Sequence, residues 1–296
     1  MFLVACSGGP DSLALAAACG FELPRAGYRV GAAVIDHGLQ PGSDEVASAA
    51  ASSCKELGLD PVVVKKVVIT ERGEGLEAAA RAARYQALEE VRQDLSASYV
   101  LLGHNLEDQA ETVLMGLTRG SGLKSISGMP VVDQQRRLAR PLIEMPKASL
   151  RQACMDQGIE FWDDPHNLDD SFLRVRLRKL SGELEETLGT GFQAALARTA
   201  ELAFEADDYL AMEAGAILSS ADSESGLEVT KLVGLHPALR RKTLQLYLQE
   251  ASKGSIPRSQ VLEAEQLVIN WHGQKKLDLS GITVERVNDR LLVRAN

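Results

Sequence analysis

The sequence predicts an α/β fold, a doubly wound parallel sheet followed by a smaller, mainly helical C-terminal domain with short terminal strands. Three observations lead there. Short apolar runs alternate with helical spacing up to about residue 145. From Pro146 onward the spacing is mostly helical. The last twenty residues return to brief β-like runs separated by turn dipeptides. Fully apolar strands joined by helices form parallel sheets covered on both faces.

The elements follow in order. Phe2–Cys6, Val30–Asp36, Val62–Val68 and Tyr99–His104 read as strands. Asp11–Cys19, Asp44–Leu57, Leu76–Leu95 and Glu107–Leu117 read as the helices between and after them. Ser171–Leu188, Phe192–Leu218, Pro237–Ala251 and Arg258–Asn270 then carry helical spacing. Lys276–Leu279, Ile282–Arg286 and Leu291–Arg294 read as strands, with turns at Ser280-Gly281 and Asn288-Asp289. Gly189 and Gly191 break the pattern, which suggests domains at 1–185 and 186–296. A chain of 296 residues fits about two domains.

Composition excludes several classes. No apolar run reaches the roughly 18–20 residues needed to span a bilayer. The N-terminus lacks a basic start and does not read as a signal peptide. The cytoplasm is the expected compartment, with no membrane partner. Cys6, Cys19, Cys54 and Cys154 are scattered and contain no Cys-x-x-Cys pair, so neither a disulfide framework nor a zinc or iron–sulfur site is expected. The net charge of −9 argues against generic nucleic-acid binding. The charge is uneven, however. Residues 183–224 carry ten acids and a single base, Arg198. Arg174, Arg176, Arg178 and Lys179 form a basic run, and Arg136, Arg137, Arg140, Lys147 and Arg151 form another group. Basic stripes on an acidic protein suit a specific anionic partner, although each run alone also fits a solvated surface.

The most specific segment is Ser7-Gly8-Gly9-Pro10-Asp11-Ser12, between the first strand and the first helix. A Gly-rich turn there presents backbone N–H groups at the positive end of a helix dipole, which favours phosphate. Ser7 and Ser12 add hydroxyl donors. Asp11 supplies a hard oxygen suited to a nucleotide's magnesium. The segment is neither a Walker loop nor a dinucleotide fingerprint.

Other candidates lie at strand ends, where ligands gather in such sheets. Asp36-His37-Gly38 follows the second strand, and Asp36 there suits an amine, a ribose or a metal. His104 ends the fourth. If the following segment is helical, His104, Asp108 and Glu111 fall within about 60° of one another. That group could bind a metal, orient an amine or take a proton, whereas Glu107 fits a first-turn acid favouring the helix dipole. Glu77, Arg81 and Arg84 share a helix face, either as a phosphate clamp or as an exposed ion-pair ladder. Gly120–Gly128 reads as a lid or an ordinary connection, and Asp163–Asn167 as a turn.

Taken together, SGGPDS, VIDHGLQPGSDEVA, GLEAAARAARYQAL, LLGHNLEDQAETVLMGLTRGSGLKSISGMP, RPLIEMPKASLR and DDPHNLDDSFLRVRLR resemble the tRNA(Ile)-lysidine synthetases, members of the PP-loop ATP pyrophosphatases. The resemblance covers nearly all of the first 180 residues and is looser beyond; the chain is similar to the shorter members, which lack a further C-terminal domain. Val175 departs from it, since the family usually has Asn there. It implies a Rossmann-like PP-loop ATPase domain at 1–185 and a tRNA-docking domain at 186–296. It also implies that ATP adenylates carbon 2 of the wobble cytidine in a CAU-anticodon isoleucine tRNA, and that the ε-amine of L-lysine then displaces AMP.

By the same resemblance, Ser7, Gly8, Gly9, Pro10, Asp11, Ser12 and His104 hold ATP, with Asp11 also on Mg2+. Asp36, Asp108 and Glu111 are the acids for magnesium and lysine, Arg84 and Arg81 face the phosphates or the activated base, and Arg174, Arg176 and Arg178 contact tRNA or the adenylate. A homodimer is one option for the oligomeric state. Three alternatives are a tRNA thiolase, a small-molecule amide ligase and a nucleotide-binding module without turnover. The first wants reactive or cluster-binding cysteines, the second leaves the helical half unexplained, and the third has no need of Asp36, Asp108 and Glu111 together.

Overall fold

In the computed structural model, the described residues are 1–38, 42–69, 75–120, 122–164, 173–223 and 225–295, without the side chains of Leu76 and Glu77. Leu3 and Val4 show why the first part folds as it does. They are neighbours on β1 (Phe2–Cys6), so they point to opposite faces, and both are fully buried. A strand sealed on both faces must be central and must carry helices on each side.

The remaining elements of this part are α1 (Pro10–Arg25), β2 (Val30–Asp36), α2 (Ser43–Glu56), β3 (Val62–Lys66), α3 (Leu76–Asp94), β4 (Tyr99–Leu102) and α4 (Leu106–Arg119). Then come α5 (Leu123–Ile126), β5 (Val132–Asp133), β6 (Leu138–Ala139), α6 (Lys147–Asp156) and α7 (Leu173–Leu188). The sheet order is β3-β2-β1-β4-β6-β5. β1 pairs in parallel with β2 (Val4 opposite Ala32) and with β4 (Val4 opposite Leu101), β2 with β3 and β4 with β6; β5 alone is antiparallel. Val4 packs with Leu13, Ala16, Ala47, Cys54 and Leu150 from α1, α2 and α6. Leu3 packs on the other face with Leu88 and Val91 of α3. Truncating a fully buried leucine such as Leu88 to alanine costs about 2–5 kcal/mol, so each face is held by its own layer.

The expected doubly wound α/β sheet is therefore present. Its strand order turns at β1, between β2 and β4, and such switch points open a crevice beyond the strands' carboxyl ends. β3 and β4 end two residues before the sequence reading placed them, and α1 runs on through Gly20 to Arg25. Leu23 packs on the core, and that burial carries the helix past a weak helix former. The β5–β6 hairpin was not foreseen, because two-residue strands leave no periodicity.

Contacts divide the chain into two compact units, Met1–Gly120 with Ser125–Glu201, and Ser121–Lys124 with Leu202–Asn296. The division falls inside the long helix α8 (Phe192–Ala221). The second unit continues with β7 (Leu227–Glu228), α9 (Thr230–Val233), α10 (Pro237–Ser252), α11 (Arg258–Ile269), β8 (Leu277–Leu279), β9 (Ile282–Val287) and β10 (Arg290–Ala295). Its antiparallel sheet runs β7-β10-β9-β8. Leu244 and Leu248 of α10 and Leu267 of α11 bury against Ile282 and Leu291 of that sheet. The three expected terminal strands are joined by β7. Among the described residues, no helix is long and apolar enough to cross a membrane.

Candidate active site

The loop from β1 to α1 is built to leave its donors open. Gly8 adopts φ +81°, a left-handed conformation that disfavours side chains. Gly9 caps α1 with no side-chain acceptor for the first turn, and Pro10 starts the helix. The loop is braced from within, where the Ser12 hydroxyl donates to Gly9 O at 3.0 Å and accepts from Ser7 N at 3.1 Å. It is braced from outside by Trp162 N donating to Gly8 O. Gly103, just past β4, completes the approach, because a Cβ there would sit 2.9 Å from Asp11 O.

Beyond the strand ends lies a cleft of about 350 Å³. Ser7, Gly9, Pro10, Asp11 and Ser12 line it, with His37 after β2, Arg84 of α3, His104 after β4, Asp108 of α4 and Arg178 of α7. Lys147, Trp162, Asp163 and Asp164 also reach it. The cleft therefore mixes acids with three long cations in a small volume.

Among the described residues, three buried polar atoms here have no hydrogen-bond partner: Asp11 Oδ1, Arg84 Nε and Glu111 Oε2. Buried polar groups are paired in the great majority of cases, so each orphan calls for an explanation. Burial lifts the Asp11 carboxyl to about 6; Lys147 opposes this, the charges of Asp108 and Glu107 add to it, and Arg178 opposes it. Glu111 is fully buried. Its Oε1 accepts from Arg178 Nε at 2.6 Å, yet burial outweighs the arginine and raises its pKa. Burial works against the charge on Arg178, but Glu111 and Asp108 hold its pKa up.

Asp108 has two tasks. Its Oδ2 accepts from Asn105 N at 3.1 Å, while Asn105 Oδ1 accepts from Asp108 N at 2.9 Å, a reciprocal cap that fixes the start of α4. Its Oδ1 remains 3.7 Å from Arg178 Nη2. Glu107, expected as a first-turn acid, is in the first turn of α4, and its Oε2 accepts from Lys147 N at the start of α6. His104 lies before α4 rather than on it, so the shared helix face holds for Asp108 and Glu111 only.

His104 has a defined tautomer. Arg140 Nε donates to its Nδ1 at 3.2 Å, and a guanidinium has only protons to give. Nδ1 is thus unprotonated, and the neutral ring carries its proton on Nε2. Burial, with Arg140, Arg84, Arg81 and Arg174 nearby, lowers the imidazolium pKa to about 3. His104 is therefore a neutral donor at physiological pH. His37 is lowered too, by burial and by Arg84.

The other expected residues separate. Asp36 is buried, and its carboxylate is engaged locally. Gly38 N donates to its Oδ1 at 2.9 Å, and Lys66 Nζ lies 3.8 Å from Oδ2. Burial raises its pKa, but the Ser43 and Gly38 hydrogen bonds and the Lys66 and His37 charges win and lower it. Arg81 lies one turn before Arg84, with Nη2 donating to Tyr85 Oη at 3.2 Å. Arg174 and Arg178 share a face of α7, whereas Arg176 is exposed. Val175, the departure from the family pattern, is buried. Gln109 Nε2 donates to Met129 O and its Oε1 accepts from Met129 N, which ties the far end of the Gly120–Gly128 segment to α4. Ser121, residues 39–41 and residues 165–172 lie outside the described residues, as does the Glu77 side chain.

Sequence reading missed Lys147 as a cleft residue and Arg140 as the partner of His104, and grouped both in a basic stripe. The structure breaks that group up. Arg140 is buried on His104 and donates from Nη1 to Pro130 O. Lys147 lines the cleft, and Arg151 pairs bidentately with Asp163. Arg136 and Arg137 remain exposed. The usable signal was position, since Arg140 directly follows an apolar Leu-Ala pair that forms β6 beside β4.

Comparison with known proteins bears on this geometry. A PP-loop domain model matches residues 1–184, and a TilS substrate binding domain model matches residues 227–292. The tRNA(Ile)-lysidine synthase of Leifsonia xyli subsp. xyli is 48% identical, over 98% of this chain and 89% of its own. The chain belongs to the tRNA(Ile)-lysidine synthase family. Synthases of Streptomyces coelicolor and Thermobifida fusca are 45% and 41% identical over 99% of this chain, and over 85% and 91% of their own. Membership makes this a ligase-type enzyme of tRNA modification with an ATP-binding PP-loop domain. Among solved structures, the U34-tRNA thiolase NcsA from Methanococcus maripaludis, with its [4Fe-4S] cluster, is similar with a TM-score of 0.58. It is 19% identical and covers 69% of this chain and 72% of that one. That likeness is one of fold, and the thiolase alternative has no further support. The four cysteines here are buried.

Proposed function

We propose that this lysidine synthase family member ligates L-lysine to carbon 2 of the wobble cytidine of CAU-anticodon isoleucine tRNA, at the expense of ATP. The cytidine O2 attacks the α-phosphorus of ATP. An O–P bond forms, the bond between the α and β phosphates breaks, and pyrophosphate leaves. The lysine ε-amine, once deprotonated, attacks carbon 2. A C–N bond forms and AMP departs with the oxygen. Adenylation thus turns a poor leaving oxygen into a good one, and what remains for the protein is positioning and charge stabilisation.

Ser7 to Ser12 offer backbone and hydroxyl donors to the phosphates, and the neutral His104 adds an Nε2–H donor. Arg84, with Arg178, faces the charge that develops on phosphorus or on the base. Asp108 and Glu111 orient the lysine amine and take its proton. Asp36 supports the loop after β2 as a further acid of the site. Arg81, Arg174 and Arg176 guide the RNA. Residues 1–185 act as the catalytic domain and 186–296 as the docking domain, in the cytoplasm.

Magnesium fits the donor set. Among the described residues no three His, Cys, Asp or Glu side chains converge on a metal cage. Magnesium needs none, since it keeps waters and takes one or two carboxylates beside phosphates. The orphaned Asp11 Oδ1 is such a carboxylate oxygen. Bound there, the ion would screen the phosphate oxygens.

The observation that carries this reading is the set of orphaned buried atoms on Asp11, Arg84 and Glu111, gathered in and directly behind the PP-loop cleft. It is tested by incubating the protein with ATP, labelled lysine and the CAU isoleucine tRNA. Label should enter the tRNA with one AMP formed per lysine. AMP formation that ignores tRNA would overturn the proposal.

A further inference from the structure

We infer that a second, basic groove on the catalytic unit holds the sugar–phosphate backbone of tRNA nucleotides flanking the base in the cleft. The inference rests on the reading that an RNA base enters that cleft. The groove has a volume of about 740 Å³ and lies between α3 and the β5–β6 hairpin. Arg81, Tyr85, Glu89 and Arg92 line it from α3, and Arg136 and Arg137 from the hairpin. Val100 and Leu138 form its floor.

Charge identifies the occupant. The only acid among the described lining residues, Glu89, is already held by Arg92, with Oε1 2.7 Å from Nη2 and Oε2 2.7 Å from Nε. That pair is internally neutral. Arg81, Arg136 and Arg137 then leave three positive charges around the groove, on a protein whose net charge is −9. Local positive potential on an acidic surface selects a polyanion by shape as well as charge. Arg136 and Arg137 are exposed at the hairpin turn. Arg137 adopts φ +53° there and leans over the Tyr99 ring at 5.7 Å. A left-handed arginine is uncommon and is held by its surroundings.

Helix spacing links the groove to the chemistry. Arg84 and Leu88 of α3 line the cleft, while Arg81, Tyr85 and Glu89 line the groove. One helix thus presents one stripe to the reacting site and the adjacent stripe to the groove. Tyr85 receives the Arg81 Nη2 hydrogen bond, and the Arg81 guanidinium sits 5.1 Å from its ring. A ring and a guanidinium held side by side suit an unstacked nucleotide, which RNA-binding proteins grip by stacking and phosphate contact. A cytidine splayed into the cleft must have neighbours on its strand, and the groove receives them one helix stripe away.

The test measures binding of the CAU isoleucine tRNA, and of its isolated anticodon stem-loop, between 50 and 200 mM salt. The Arg136→Ala/Arg137→Ala double variant should bind both RNAs about tenfold more weakly. Its log–log salt slope should be shallower by about 1–1.5, from about 0.7 per lost single-strand phosphate contact. ATP binding, read separately, should be unchanged, which shows that the variant is folded. An unchanged affinity and slope would overturn the inference, and so would a loss seen with full-length tRNA but not with the stem-loop. Failure of the unmodified protein to bind the tRNA at all would instead break the proposed ligation.

Discussion

Two buried glutamates, one in each unit, have opposite surroundings. Glu265 of α11 is saturated. Its Oε1 accepts from Arg240 Nε at 2.9 Å and Nη2 at 2.8 Å, and its Oε2 from Arg241 Nε at 2.7 Å. Arg240 Nη1 also donates to Leu235 O. Glu111 of α4 is equally buried, but among the described residues its hydrogen-bond partner is Arg178 alone and its Oε2 is orphaned. A fully satisfied buried ion cluster serves the fold, whereas an unsatisfied one costs stability and marks a place where a ligand completes the set.

The largest effects should fall on the unsatisfied cluster. Asp108→Ala and Asp11→Ala should remove lysine transfer, by about 10³-fold or more, with circular dichroism and thermal unfolding still showing a folded protein. Full activity in both variants would take those residues out of the site.

The same substitution at the two glutamates sharpens the contrast. Glu265→Gln should destabilise the protein by about 3 kcal/mol or more, because it leaves a buried arginine facing an amide. Glu111→Gln should cost under about 1 kcal/mol, since Arg178 is partly exposed and keeps Asp108 as a charged neighbour while the amide oxygen still accepts from it, yet lower ligation about 10²-fold or more. Urea unfolding and tRNA lysylation measure the two. Equal stability losses would erase the distinction.

A smaller effect concerns pH. Asp11 has a folded-state pKa of about 6, above its ordinary 3.8. The native state therefore holds its proton more tightly than the unfolded chain, and stability falls as pH rises from about 4 through 6. Asp11→Asn removes that penalty. The variant should be more stable than the parent at pH 7–8, with the advantage fading below about pH 4 in unfolding curves taken across that range. The parent's activity should fall on acidification through about 6, as the carboxylate is protonated.

Most of the catalytic unit was legible in the sequence, for particular reasons. β1 and β2 are buried apolar runs, and α2, α3 and α4 begin and end within two residues of their periodic patterns. The loop from Ser7 to Ser12 was legible because a strand, glycines and a helix start follow in register. What stayed hidden depends on contacts distant in the chain. Arg140 looks like a surface arginine until β6 places it beside His104, 36 residues away in the chain. Arg178 looks like one member of a basic run until α7 packs on α4 and sets it against Glu111. Asp36 was legible as an acid at a strand end, but not the hydrogen bond from Gly38 N that holds its carboxylate.

The smallest effect follows from Arg140. Arg140→Gln should free His104 from its fixed tautomer and raise its pKa from about 3 toward the ordinary range, because a positive neighbour is lost while burial remains. Nitrogen NMR of the imidazole reads both changes. Retention of the same tautomer would mean that the arginine does not set it.

The central claim is that the cleft transfers AMP to an RNA base before the lysine amine attacks it. A single-turnover reaction with ATP labelled at the α-phosphate, the CAU isoleucine tRNA and no lysine tests it most directly. Pyrophosphate release that depends on the tRNA, with label carried on the RNA, is the predicted result. Labelled ADP, or AMP formed equally without tRNA, would contradict it.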